Sequence, residues 1–157
     1  MLKRLYIAIA TISLSLCLAG CLAGCLARNG PVLTAPQQIN FTANQSVSAV
    51  AAINKSLAAD VIALNKTAVI RKETANAILT WQRSVAVAVI AGEAIQRSDK
   101  TDVEKALALK EAFAQLPLPE TIAALVISKQ TDPALVALIT TIQSIQILIS
   151  SINGAAK

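Results

Sequence analysis

Pro133-Ala134-Leu135-Val136-Ala137-Leu138-Ile139-Thr140-Thr141-Ile142-Gln143-Ser144-Ile145-Gln146-Ile147-Leu148-Ile149-Ser150-Ser151-Ile152-Asn153-Gly154 is the most regular stretch of this chain. Leu135, Leu138, Ile142, Ile145, Ile149 and Ile152 recur at alternating steps of three and four. That spacing gathers them on one face of an α-helix, where a strand would send neighbours to opposite faces. Asp132 offers a cap acceptor ahead of Pro133, whose fixed φ suits a first helical position, and Asn153-Gly154 reads as the stop. No charge occurs from Pro133 to Ala156. Three readings follow: a buried central helix of a bundle, an oligomer or partner seam, or a membrane-inserted helix. Gln143 and Gln146 weigh against insertion because each needs a hydrogen-bond partner in lipid, so the central bundle helix leads.

Upstream, the same period organises the chain. Thr101-Asp102-Val103-Glu104 has the capping-box form, and the helix it opens is predicted to reach about Gln115. Leu116-Pro117-Leu118-Pro119 stops it, since each proline lacks a donor and biases its predecessor away from helix. Pro119 then serves as first-turn residue of a helix running to about Lys129. Further back, Val47, Val50, Asn54, Leu57, Val61, Leu64 and Ala68 form one seam, and Ile78, Trp81, Val85, Ala88, Gly92 and Ile95 a second. The phase slips near residues 71–77, which fits one long helix with a stutter or two helices meeting there. Absence of proline and glycine from Asn44 to Ala91 favours continuity. Val85 to Val89 alternates like a strand but sits in helical surroundings. Asn44 and Ser46 are the expected N-caps, and residues 21–43, with Gly30-Pro31 and Pro36-Gln37-Gln38, read as a flexible linker. The fold class is therefore all-α: a small bundle of about four or five helices over residues 44–153, the first one long, behind an N-terminal tether.

Composition narrows function by exclusion. Histidine is absent from the 157 residues, which removes the commonest general base, the usual zinc ligand and every Ser-His or Cys-His nucleophile. Five glycines assemble no phosphate-cradling loop. Asp99, Asp102 and Glu104 cluster, but without the dense oxygen spacing of a calcium loop; their ordinary use is to favour a helix N-terminus. Glu93 with Arg97 and Lys100 with Glu104 are four-apart surface pairs. Lys66, Arg71 and Lys72 stand beside Glu73 and are too few for a nucleic-acid stripe. No catalytic residue, metal site or cofactor is expected, and no small-molecule substrate is evident. Trp81 falls within a helical seam, so core burial is its first reading and a partner contact its second. Asn54, the polar member of the first seam, reads as a register-fixing core group or as the seam's edge.

The N-terminus carries the sharpest motif. Lys3 and Arg4 form a positive n-region, Leu5 to Leu16 an apolar core, and Leu18-Ala19-Gly20-Cys21 is followed at once by Leu22-Ala23-Gly24-Cys25. Each tetrapeptide resembles the lipobox of bacterial lipoproteins, a resemblance confined to about the first 25 residues. It implies a signal peptide of residues 1–20, recognition through Leu18, Ala19 and Gly20, and diacylglyceryl and acyl (palmitate-type) modification of Cys21, with Cys25 as the alternative. Two or three acyl chains anchor a protein durably where one does not. Leucine, not aspartate, follows either cysteine, which implies the outer membrane in a host with two, facing periplasm or surface. Cleavage removes Lys3 and Arg4, so the 14 basic residues fall to 12 against 9 acidic.

Together these readings give an expectation: a lipid-anchored bacterial envelope protein, non-enzymatic, whose helical domain binds or scaffolds an envelope protein or a second copy of itself. The alternative is a membrane-active or exclusion-type lipoprotein acting through its apolar C-terminal helix on another envelope protein or the bilayer. Nucleic acid is not an expected partner.

Overall fold

A computed structural model describes residues 34–127 and 131–155. Among them the chain forms five helices and no strand: α1 (Ala35–Lys66), α2 (Lys72–Arg97), α3 (Asp102–Ala114), α4 (Glu120–Ile127) and α5 (Pro133–Ala155). The all-α bundle expected from periodicity is the observed architecture. Val85 to Val89 lies inside α2.

Three local outcomes correct the sequence reading. First, α1 begins at Ala35, not near Asn44. Thr34 stands in extended backbone as N-cap, Pro36 occupies the first turn, and the Gln37 side chain Oε1 accepts from the Thr34 amide at 2.9 Å. Asn44 and Ser46 are therefore not caps: Asn44 is exposed within α1, and Ser46 is buried. The linker expected over 21–43 is helical from Ala35, and its part before Thr34 lies outside the described residues.

Second, of the two arrangements open near residues 71–77, two helices that meet there are what the structure has, against the continuity favoured by the lack of proline and glycine. α1 ends at Lys66, and Ala68 adopts φ 57°. The Val69 amide donates back to the Leu64 carbonyl at 2.9 Å and the Ala68 amide to Asn65 at 3.1 Å. This is the 6→1 and 5→2 pattern of a Schellman stop, with alanine where glycine is customary. A Cβ in the left-handed region costs about 1 kcal/mol or more, so Ala68→Gly is expected to raise stability by about 1 kcal/mol in urea unfolding. An unchanged or lower midpoint would count against the strained turn.

Third, Asn153-Gly154 does not stop α5, which continues to Ala155 with no positive φ at Gly154. At the other end the sequence reading holds, for Asp132 Oδ1 accepts from the Ala134 and Leu135 amides at 2.8 and 3.2 Å. Pro119 sits one position earlier than expected: its carbonyl accepts from Ile122 and Ala123, which makes it the cap of α4.

Helix α1 packs against α2, α3 and α5, whereas the backbones of α2 and α5 make no close approach to each other; α3 meets all three, and α4 reaches α2 and α5. Paired bonds from Asn40 to Gln96 and from Asn54 to Gln82 run α1 and α2 antiparallel. Every member of the α5 seam is buried, as are Val47, Val50, Asn54, Leu57, Val61 and Leu64 of α1. Each large aliphatic side chain so buried contributes about 1.5–3 kcal/mol. Close approach is set by Gly92, where an added Cβ would stand 3.2 Å from Leu109 and Phe113 side-chain atoms and 3.3 Å from Val47. The missing side chain lets three helices meet at one level.

Candidate functional site

Residues that carry chemistry in the sequence are drawn into structural work. Thr101 and Glu104 form the expected box: the Thr101 amide donates to Glu104 Oε2 at 2.9 Å, and the Glu104 amide to Thr101 Oγ1 at 3.4 Å. Accepting from the Thr101 amide, then from its hydroxyl, holds the Glu104 carboxyl below the usual range, with Lys100 adding a smaller pull. A depressed folded-state pKa contributes stability above the unfolded value and loses it as pH falls through the folded one. The protection of amides at the start of α3, relative to their intrinsic exchange rate at each pH, is thus expected to fall below the ordinary glutamate range, and Glu104→Gln to flatten that dependence. An acid limb identical in both proteins would contradict it.

Asp102, from the same acidic cluster, accepts from Asn40 Nδ2 at 2.6 Å, while Gln96 Nε2 donates to Asn40 Oδ1 at 3.1 Å. This node ties the first turns of α1 to the end of α2 and the start of α3. Glu93 and Arg97 pair at 3.1 Å on the surface. Among the described residues no three metal-ligating side chains group together. Burial pushes the Asp60 carboxyl above its usual range, by desolvation.

Trp81 is 3% exposed within the core, so its second reading as a partner contact has no surface here to act through. Its indole Nε1 and the Asn54 Oδ1 are both buried without a hydrogen-bond partner. The Asn54 Nδ2 donates to the Gln82 carbonyl at 3.1 Å, and Gln82 Nε2 returns a bond to the Asn54 carbonyl at 3.2 Å. Two reciprocal bonds across α1 and α2 fix their register, the first of the two roles read for Asn54. Cys21, Cys25, Leu18, Ala19 and Gly20 lie outside the described residues.

What remains accessible is surface. A crevice of about 220 Å³ opens between the α3–α4 connection, through Phe113, Leu116 and Pro117, and the α5 residues Gln146, Ile149 and Asn153. The Asn153 Oδ1 is buried there without a partner. Amide, hydroxyl (Ser150) and apolar groups line the crevice with no ionisable side chain, so it offers shape and hydrogen bonding. Sequence reasoning treated Leu116-Pro117-Leu118 only as a helix stop; no local signal couples it to α5. The outward face of α5 presents Val136, Thr140, Gln143 and Ile147 to solvent, all uncharged. On α2, Val87 and Ile90 are exposed, each at 68%. Three segments, Asn40–Lys66, Lys72–Arg97 and Pro133–Gly154, are long and apolar enough to cross a membrane by length and composition.

Comparison with family models, with curated proteins and with solved structures finds no match for the chain. The class that the fold itself defines is an all-α bundle of five helices among the described residues.

Proposed function

We propose that this chain is a bacterial envelope lipoprotein, anchored through acylated Cys21 or Cys25, whose helical domain is a non-enzymatic binding or scaffolding module. The doubled Leu-Ala-Gly-Cys behind a basic n-region and an apolar core carries the reading. Its support in the domain is that two of the three clustered carboxylates, Glu104 and Asp102, serve a cap and an interhelical bond, which points to surfaces as the means of action. The partner is an envelope protein or a second copy of the chain. Mass spectrometry of the mature N-terminus from producing cells tests the anchor: the expected product starts at a diacylglyceryl cysteine, Cys21 in the first instance. An unmodified chain still beginning at Met1 would overturn it.

A second reading, action through α5 on another envelope protein or the bilayer, is favoured by one observation, the uncharged outward face of that helix. Ile147→Lys separates the two because Ile147 is exposed and outside the core seam. Retained folding with lost association would select the second reading; retained association would select the first.

A further inference from the structure

We infer that the end of the bundle where α1 begins is a lipid-seating surface, which lays Phe41 and Val103 into the bilayer interface and so fixes the orientation of the domain on its membrane. This rests on the lipid anchor proposed above.

Chain length supplies the first argument. Thirteen peptide steps separate Cys21 from Thr34, at most about 45 Å fully extended, and only nine separate Cys25 from it. Because α1 starts at Ala35 and not near Asn44, the connection is shorter than composition suggests. Helix α1, with 32 residues, is itself about 48 Å long. The tether therefore joins the domain at its Ala35 end, and the Lys66 end stands one helix length, about 48 Å, beyond that attachment.

The second argument is what that end displays. Asn40, Gln96 and Asp102 are bonded to one another, which brings the start of α1, the end of α2 and the start of α3 to one level. Next to Asn40 in sequence stands Phe41, 44% exposed, and next to Asp102 stands Val103, 52% exposed. Leu107, one turn after Val103, is also 52% exposed. An aromatic and two aliphatic side chains left in water beside the tether attachment gain by entering the interface, where binding scales with buried apolar area. Arg97 pairs with Glu93, whereas Asp102 and Glu104 bond to the neutral Asn40 and Thr101, with Asp99, Lys100 and Lys105 beside them. The apolar side chains stand among charges of both signs, and a zwitterionic phosphatidylcholine interface is the lipid surface they fit.

The test uses the full mature, acylated chain in phosphatidylcholine nanodiscs doped with a gadolinium-chelating lipid. Amide relaxation enhancement is expected to be severalfold stronger at Phe41 and Val103 than at Asn65 and Thr67. In the double variant Phe41→Asp with Val103→Asp, both exposed sites, that contrast should disappear while acylation and membrane association persist. Equal enhancement at both ends, or stronger enhancement at Asn65 and Thr67, with the acyl group verified by mass, overturns the seating surface and leaves the anchor intact. A mature chain without an acyl group overturns the anchor and the seating surface together. A double variant that keeps the full contrast overturns the assignment to these two residues.

Discussion

Removal of residues 133–157 is expected to abolish the cooperative unfolding transition of the whole domain, not merely to trim its end. Helix α5 buries Leu135, Leu138, Ile139, Ile142, Ile145, Ile149 and Ile152. At about 1.5–3 kcal/mol for each side chain, the gross burial is on the order of 10–20 kcal/mol, against a net stability of about 5–15 kcal/mol for an ordinary domain. Its loss also strips α1, whose packing is divided mainly between α2 and α5. Circular dichroism with thermal melting checks the outcome. A sharp transition retained by residues 26–132 would show that α5 is an appendage, and would return the uncharged helix to the partner-seam reading.

Phe113→Ala is the second large effect, expected to lower Tm by roughly 10–25 °C. Phe113 is 1% exposed, and its ring edge lies 3.2 Å from where a Gly92 side chain would begin. No substituent on α2 can swing in to fill the space, because the facing residue has none. Truncation of a buried phenylalanine costs about 3–5 kcal/mol, towards the upper end where the site cannot collapse. Phe113→Leu keeps most of the volume and should lose far less. Equal loss in the two variants would locate the effect outside packing. Phe113 also lines the crevice together with Gln146 and Ile149.

Particular residues mark where sequence reasoning reached and where it stopped. Thr101-x-x-Glu104 was legible because both partners of the box lie within one turn. Thr34-x-x-Gln37 has the same form, yet it stands beside Gly30-Pro31 and Pro36, whose composition suggested a linker. Proline in a first turn is itself a helix start signal, so this boundary is legible in the sequence from Thr34, Pro36 and Gln37. Ala68 was not available: a left-handed alanine carries no compositional mark, and the break was sought a few residues later, where the seam loses phase. Asn40 with Asp102 and Gln96, and Phe113 with Gly92, join residues far apart in sequence, which no periodicity encodes. Of the site residues, Trp81 went to the core that its seam position first implied.

By itself the sequence determined the helices and their inward faces, because hydrophobic period and capping act within a turn or two of the chain. It also determined the lipobox resemblance, which is a matter of adjacent residues. Tertiary structure alone decided that α2 and α5 both pack on α1 without close backbone approach to each other, that Gly92 lets three helices close on one level, and that Phe41 and Val103 come to the same end of the bundle. Those outcomes depend on which faces meet in space, and that is settled only when all five seams compete to bury their apolar surface at once.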